Sequence, residues 1–284
     1  METAPLTSPV PSADKVPCSV GMLTFNSARV LRRALESVKD FDDIILCDGG
    51  STDETTRIAE EYGTRVILQD AEYKMPGGNR LINMGGARAQ MIEAAKNEWF
   101  LMIDSDESIS PGLHDDIARI ARAPYRAGDP LAYRIPIRFF FAGRLIKHSS
   151  NYPGYQPRLF SKKSGGRYTR VMHNRMEFNA GVPIGTLAYP WYVYLEREDI
   201  GIFRAERGWY RRVEVEEACK RTLPDFMRYV VFWHLKAAAG IAGRSLYLYL
   251  RYGFKDTMPL QVEIGRTLGP LILILKATLC RTQK

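Results

Sequence analysis

Short apolar runs alternate with helically spaced segments along the first half of the chain. The apolar runs, typical of strands buried on both faces, lie at residues 19–24, 43–48, 65–68 and 99–103. Between them apolar side chains recur every three or four residues, as in Leu31, Leu35 and Val38. This alternation predicts a β-α-β-α-β-α-β unit, and therefore an α/β fold with a mainly parallel sheet and helices on both faces.

The pattern changes after about residue 130. Residues 131–146 alternate loosely and contain Ala142-Gly143, which predicts a hairpin, and 155–160 and 167–178 are further predicted strands. Beyond Asp199 the helical spacing returns.

Two apolar patches in this last part, 245–250 and 270–275, are each too short to span a bilayer and are flanked by Arg and Lys. They favour amphipathic helices that lie in a membrane interface. Packing on the main domain and dimer formation are the alternatives.

Composition adds a preference for anionic partners. The 284 residues carry a net charge of +8 with a pI near 9.3, which suits phosphorylated substrates, nucleic acid or an anionic membrane surface. The four cysteines (Cys18, Cys47, Cys219, Cys280) are widely spaced without a CxxC pair. They predict neither a zinc site nor a disulfide framework, so a reducing compartment is expected.

Acidic residues follow the fourth predicted strand directly. Asp104, Asp106 and Glu107 lie within four positions, at the strand end where open α/β sheets bind ligands. Carboxylates this close raise one another's pKa, and a divalent cation such as Mg²⁺ or Mn²⁺ relieves the repulsion. The alternative is a solvated acidic loop.

Several segments together resemble family-two glycosyltransferases with the GT-A fold. They are Thr24-Phe25-Asn26, residues 47–53, Gly85-Gly86-Ala87-Arg88 and Asp104-Ser105-Asp106-Glu107. Residues 133–136, 141–148, 152–160 and 171–173 further resemble the bacterial lipopolysaccharide core β-1,4-glucosyltransferase subgroup. The resemblance covers roughly residues 18–215 and is less specific for sugar and acceptor than for glycosyl transfer.

The resemblance implies a division of the chain. Residues 1–17, rich in Pro, Ser and Thr, are expected to form a disordered tail and not a signal peptide. Residues 18–215 would form the GT-A domain, with a nucleotide-sugar half at 18–125 and an acceptor half at 126–215. Residues 216–284 would form a helical, membrane-associating extension.

The resemblance also implies a donor site for a UDP-sugar. Its expected members are Thr24, Phe25, Asn26, Asp48, Arg88, Asp104 and Ser105. Asp48 would accept the N3–H of uracil and Asp104 would contact the ribose. Asp106 would ligate the Mn²⁺ or Mg²⁺ that assists the leaving diphosphate. Arg88 would contact base or phosphate, unless it is a surface residue, and Glu107 would cap the next turn or order a metal-bound water.

The catalytic base is less clearly marked. Inversion in one displacement needs a carboxylate near the acceptor hydroxyl. The resembling subgroup has a His-Glu pair where this chain has His173-Asn174, so Glu177, four positions on in the same predicted strand, is the expected substitute. Glu196, Glu198 and Asp199 are rivals, and Asp199 alternatively caps a helix.

The acceptor side is rich in arginine and lysine. Its expected residues are His148, Gln156, Arg158 and His173, and an anionic glycolipid at the cytoplasmic face of the membrane is the expected acceptor. The alternatives are a polyprenyl-phosphate acceptor, a non-catalytic GT-A scaffold and a nucleic-acid-binding protein. No aromatic stacking motif supports the last of these.

Overall fold

The computed structural model describes residues 15–74, 78, 81–168, 176–197, 212 and 214–282. The predictions for His173, Glu198, Asp199 and the first fourteen residues lie outside these ranges. The chain forms two compact units, one running to Pro136 and including Tyr155–Trp191, the other made of Ile137–Gly154 and the chain from Tyr192 onwards. This division differs from the expected boundary at residue 215, because the segment Ile137–Gly154 groups with the C-terminal helices.

Four parallel strands form the centre of the first unit. They are β1 (Val16–Thr24), β2 (Phe41–Asp48), β3 (Arg65–Leu68) and β4 (Trp99–Met102), in the spatial order β3-β2-β1-β4. Strand β1 begins at Val16, inside the segment expected to be a disordered tail. Thr24 pairs with Asp48, so the carboxyl ends of β1 and β2 meet at one edge of the sheet.

The connections between these strands are helical, as the apolar spacing predicts. The helices are α1 (Ala28–Glu36), α2 (Thr55–Glu61), α3 (Met84–Ala94) and, after β4, α4 (Pro111–Arg122). On one face of the sheet Ile45 and Phe100 pack with Met91 of α3, while Ile44 and Leu101, which point to the opposite face, are buried as well. Both faces are therefore covered, which explains the uninterrupted apolar runs.

Antiparallel strands extend this sheet beyond β4. Strand β8 (Tyr155–Ser161) pairs with β4, and β6 (Ala132–Phe141) pairs with β8 and, in parallel, with β11 (Ile184–Thr186). Strand β5 is Glu107–Ile109. The prediction of a single strand at 167–178 is wrong. Strands β9 (Arg167–Tyr168) and β10 (Met176–Glu177) pair antiparallel, so they run in opposite directions.

The second unit combines a hairpin with C-terminal helices. Strands β6 and β7 (Arg144–Leu145) enclose the predicted turn, where Ala142 and Gly143 both have positive φ, and β12 (Trp191–Leu195) follows. Residues 214–219 are helical, a turn at Leu223–Asp225 leads into a π-helical segment at Phe226–Phe232, and α5 (Trp233–Tyr252) and α6 (Leu260–Thr282) come last. Among the described residues, no helix is both long enough and apolar enough to cross a membrane.

The expectation that the cysteines form no disulfide is wrong for one pair. Cys219 and Cys280, 61 positions apart, are joined as a disulfide with a Cα–Cα distance of 6.2 Å. The bond ties the helical residues 214–219 to the end of α6. Cys18 and Cys47 are free and buried. Spacing along the chain did not reveal the pair because folding alone brings the two helices together.

A buried carboxylate fastens β1, β2 and β3 to one another. Asp43 accepts hydrogen bonds from Ser19 Oγ (2.6 Å), from Arg65 Nε (2.8 Å) and from the Lys96 backbone N–H (2.9 Å). Burial opposes ionisation, but these donors outweigh it and hold the pKa of Asp43 below its usual value.

We predict that Asp43→Ala lowers the free energy of unfolding by about 3–5 kcal/mol, because Arg65 loses its buried partner. Since the pKa of Asp43 is depressed, its contribution is present above the unfolded pKa of about 3.9 and is lost as the pH falls through the lower folded value. Denaturant unfolding at neutral and acidic pH measures both effects. The exposed neighbour Asp42 supplies the control, and equal losses in Asp42→Ala and Asp43→Ala would contradict the assignment.

Candidate active site

The loop after β2 is built around the carboxylate of Asp48. Its Oδ2 accepts from the backbone N–H groups of Gly50 (2.9 Å) and Ser51 (2.7 Å), and its Oδ1 accepts from Thr24 Oγ1 (3.0 Å) and Ser51 Oγ (2.5 Å). Four donors use about the full accepting capacity of a carboxylate. Asp48 and Thr24, both predicted donor-site residues, therefore shape the loop, and a uracil N3–H would have to compete with these donors.

The adjoining segment after β1 presents an exposed aromatic ring. Phe25 is 47% exposed, and a Cβ added at Gly49 would lie 3.0 Å from its ring, so a larger residue there would push the ring aside. Asn26 adopts a left-handed conformation (φ 48°) and its Oδ1 accepts from the Thr52 backbone N–H at 2.9 Å. The predicted Thr24-Phe25-Asn26 segment is thereby held against the β2 loop.

Two arginines neutralise the first acid after β4. Arg88 Nη2 donates to Asp104 Oδ1 at 2.9 Å, and Arg158 Nη1 lies 3.8 Å from Asp104 Oδ2. Burial alone would raise the pKa of Asp104, but the two guanidinium groups outweigh it and keep the pKa below its usual value. Asp104 and Arg88, both predicted donor-site residues, thus form one ion pair, and Arg88 is buried, which excludes the surface alternative.

Glu107 is a second, buried carboxylate that also contacts Arg158. Its Oε1 accepts from Arg158 Nη2 (3.0 Å) and Trp191 Nε1 (3.0 Å), and its Oε2 accepts from the Asp104 backbone N–H (2.9 Å). This last contact closes the turn from Asp104 to Glu107 itself, and not the turn that follows Glu107. Burial and the nearby charges of Asp104 and Asp106 raise the pKa of Glu107 to about 7, against the opposing effect of Arg158.

Asp106 and Ser105 complete this turn. Both are partly exposed, and Ser105 Oγ donates to Ser27 Oγ at 3.1 Å. The described residues contain no group of three or more metal-ligating side chains. Mg²⁺ is commonly held by one or two carboxylates together with substrate phosphates, so the pair Asp104 and Asp106 fits a cation whose remaining ligands come from a diphosphate and water.

A cleft of about 770 Å³ opens beside this acidic turn. It is lined by Arg88, Arg134, Gln156, Arg158, Tyr168, Glu177 and Asn179, among others. The structure therefore brings the predicted base Glu177 together with the predicted acceptor residues Gln156 and Arg158. Gln156 and Arg158 share one strand face as predicted, and Arg158 Nε donates to Gln156 Oε1 at 3.2 Å.

Two further predicted residues, His148 and Glu196, belong to the second unit. His148 belongs to the second unit, where its ring stacks on Tyr252 with the centroids 3.8 Å apart, so the structure does not group it with the cleft residues. His173, Glu198 and Asp199 fall outside the described residues. Glu196 is partly exposed in the second unit.

Sequence analysis missed two aromatic members of the site. Trp191 is fully buried and donates to Glu107, and the Arg158 guanidinium lies 4.8 Å from the centre of its ring. The Arg88 guanidinium lies 5.3 Å from the centre of the Tyr168 ring. Each ring therefore makes a cation–π contact with an arginine that is paired with an acid of the turn. Each belongs to a short strand far from the acids along the chain, so no local pattern pointed to them.

A mostly parallel sheet that ends in acids is the architecture of the GT-A fold. The sequence profile of glycosyl transferase family 2 matches residues 19–182, more than half of the chain. The chain belongs to this family of glycosyltransferases. Its mixed α/β fold, with a mostly parallel sheet and a C-terminal helical region, is the expected one.

Relatives with curated names give little further detail. An uncharacterized glycosyltransferase of Rickettsia felis is 32% identical over 50% of this chain and 44% of its own length. One of Rickettsia prowazekii is 30% identical over 58% of this chain and 54% of its own. The chain spans about half the length of the curated relatives it matches.

Solved structures are similar at lower identity. S. aureus TarS 1–349 in complex with UDP is 14% identical, with a TM-score of 0.42 over 94% of this chain and 91% of that one. Glucosyl-3-phosphoglycerate synthase of Mycobacterium tuberculosis, in complex with Mn²⁺, UDP and glucosyl-3-phosphoglycerate, is 22% identical, with a TM-score of 0.30 over 44% of each chain.

We predict that Glu107→Gln becomes more stable relative to the wild type as the pH rises. The folded chain holds the Glu107 proton with a pKa of about 7, whereas the unfolded value is about 4.3, so the stability contributed by this group falls as the pH rises between the two values. The neutral amide removes this dependence. Denaturant unfolding at about pH 5 and about pH 8 should show a relative change on the order of 2 kcal/mol.

The exposed Glu93 on α3 supplies the matched control, since Glu93→Gln removes a charge without touching the acidic turn. Should Glu107→Gln follow the wild type in parallel at both pH values, the raised pKa would be refuted.

Proposed function

We propose that this glycosyltransferase is metal-dependent and inverting, and that it moves a hexose, with glucose as the first candidate, from a UDP-sugar to an anionic glycolipid of the lipopolysaccharide core type. The observation that carries the proposal is the acidic turn Asp104–Glu107 at the end of β4, set beside a cleft that contains Glu177 and three arginines. The resemblance to the lipopolysaccharide core subgroup supports the choice of acceptor and a role in cell envelope polysaccharide synthesis.

The donor would lie across the carboxyl ends of β1, β2 and β4. The exposed ring of Phe25 offers a stacking surface for the base, and the loop that Asp48 organises offers backbone groups to its polar edge. Lys74, whose Nζ donates to the Gly49 carbonyl at 2.9 Å, brings a positive charge to the same loop. Arg88, bound to Asp104, adds the charge that a diphosphate requires.

Asp106, with Asp104 behind it, would hold Mn²⁺ or Mg²⁺ against the diphosphate. A cation there supplies Lewis-acid stabilisation of the negative charge that develops on the leaving nucleoside diphosphate. Arg88 and Arg158 balance the charge of Asp104. Asp106, the second acid of the turn, is the proposed metal ligand, so its loss should weaken metal-dependent binding.

Glu177 would act as the base. Its carboxylate takes the proton of the acceptor hydroxyl as the acceptor oxygen bonds to the anomeric carbon, and the bond from that carbon to the diphosphate oxygen breaks with its electron pair leaving on UDP. Glu177 is exposed on β10 and lines the cleft with Gln156. One displacement of this kind inverts the anomeric centre.

The acceptor would enter from the basic side of the cleft. Arg134 is exposed there and Gln156 lies beside it, so an anionic group and sugar hydroxyls find complementary partners. A lipid-borne acceptor places the enzyme at the cytoplasmic face of the membrane as a peripheral protein. A polyprenyl phosphate is the second acceptor class, and an acceptor screen separates the two.

We expect Asp106→Asn to weaken UDP binding in the presence of Mn²⁺ by at least about tenfold, because a cation ligand is lost while the fold is kept. Titration calorimetry of UDP, with and without Mn²⁺, measures the effect. Asp115→Asn, a neutralised acid on the exposed side of α4, is the matched control and should bind as the wild type does. Metal-independent UDP binding, equal in Asp106→Asn, would refute the metal role.

We expect Glu177→Gln to lower kcat by about 10² to 10⁴-fold while UDP binding stays unchanged, because only proton removal from the acceptor is impaired. Turnover of UDP-glucose with a lipopolysaccharide core acceptor, together with calorimetry, separates the two quantities. Glu196→Gln tests the rival carboxylate. A large loss of kcat in Glu196→Gln and none in Glu177→Gln would transfer the role to Glu196.

A further inference from the structure

Helix α6 carries a continuous row of large apolar side chains in solvent. Its members, spaced by three or four positions and each more than one third exposed, are Leu260, Ile264, Leu268, Leu271, Leu275 and Leu279. Residues with this spacing share one side of a helix, and the row is about 28 Å long at about 1.5 Å per residue. A soluble helix normally buries such a row, so this one lacks the usual cover within the described chain.

Helix α5 has a matching row. Leu235, Leu246 and Leu250 lie on one side of it, and Leu250 is 79% exposed. Phe232 and Trp233, which are 66% and 63% exposed, precede this row at the start of the helix. Large aromatic and aliphatic side chains thus face solvent near both ends of α5.

Both rows lie to one side of a shared buried contact. Ser245 Oγ of α5 donates to Glu263 Oε2 of α6 at 3.1 Å, and Glu263 Oε1 also accepts from the Ser150 backbone N–H at 3.0 Å. Ser245 and Glu263 therefore mark the inner sides of the two helices. At about 100° per residue, the leucine rows lie roughly 60–160° around each helix axis from Ser245 or Glu263, to one side of the buried contact. The two rows together are here called the outer face.

The segment that carries the outer face is rich in positive charge. Residues 226–282 contain eight arginines and lysines but only two acids, Asp256 and Glu263. Glu263 is buried, and Asp256 is held by Arg144 and Lys147 at 2.9 and 3.0 Å. The exposed cations of this segment are Arg228, Lys236, Arg244, Arg251, Lys255 and Lys276.

We propose that the outer face docks onto a lipid bilayer that contains anionic lipids, with the leucine rows lying in the interface and the cations at the headgroups. Exposed leucine beside arginine and lysine, with Trp233 and Tyr252 near the edge, is the composition that such a surface needs. The inference rests on the proposed function in one respect, because the lipid-borne acceptor is the reason why the protein would bind a membrane.

A second copy of the chain fits this surface less well. A symmetric pair places a patch against itself, so the excess of arginine and lysine in this segment would meet the same excess in the second copy. An anionic bilayer instead turns the same charges into an attraction that weakens as salt is added.

Co-sedimentation of the full chain with vesicles tests the proposal. Vesicles of phosphatidylcholine and phosphatidylglycerol should retain the chain, pure phosphatidylcholine should retain much less, and added salt should reduce the bound fraction. The double variant Leu246→Gln with Leu250→Gln should bind the mixed vesicles at least about tenfold more weakly, as should Leu275→Gln with Leu279→Gln. Both pairs are exposed, so the fold is kept.

Leu68→Gln is the matched control, because Leu68 is 67% exposed on β3 of the first unit, and it should bind vesicles as the wild type does. Vesicle binding that is unchanged in both double variants would overturn the proposal, and so would sedimentation showing that the same variants convert a stable dimer to a monomer. UDP calorimetry on the same samples keeps the two hypotheses apart. If the wild-type chain fails to bind the mixed vesicles but still binds UDP, this inference alone is defeated. If the wild-type chain binds the vesicles but not UDP, the proposed function alone is defeated.

Discussion

The crowding of three carboxylates after β4 is the constraint on which the site depends. Asp104, Asp106 and Glu107 would repel one another strongly in a partly buried turn, and the structure meets this cost with Arg88 from α3 and Arg158 from β8. Arg158 is shared, since it lies near Asp104 and donates to Glu107. The two arginines consequently join the parallel and antiparallel parts of the sheet at the point where the donor is proposed to bind.

The proposed donor and acceptor sites are built from different sets of strands. The parallel strands bring the ends of β1 and β2 together through the pairing of Thr24 with Asp48, next to the loop where the base of the donor is proposed to bind. The antiparallel strands β8 and β10 supply Gln156, Arg158 and Glu177, which line the cleft. A family with one donor-binding half can therefore change its acceptor by altering the second set of strands.

The elements of the parallel half were predictable because their cause is local. Uninterrupted apolar runs specify the buried strands, and helical spacing places Leu31, Leu35 and Met91 inside. The roles of Arg158 and Trp191 were not predictable, because they depend on partners more than fifty positions away. The disulfide between Cys219 and Cys280 and the grouping of Ile137–Gly154 with the C-terminal helices share that reason. The reversal between β9 and β10 was missed because a strand pattern does not show where a chain turns back.

Two of the four tryptophans, which lie in very different surroundings, make the protein its own optical probe. Trp191 is fully buried between Glu107 and Arg158, whereas Trp233 is 63% exposed at the start of α5. Indole emission responds to nearby charge and to the polarity of its surroundings, so the two residues should report on different events. Changes of ionisation or ligation at the acidic turn would alter the emission of Trp191, while transfer of Trp233 into a less polar environment would shift its emission to shorter wavelength. Single-tryptophan variants would thus let fluorescence follow each unit without an added label.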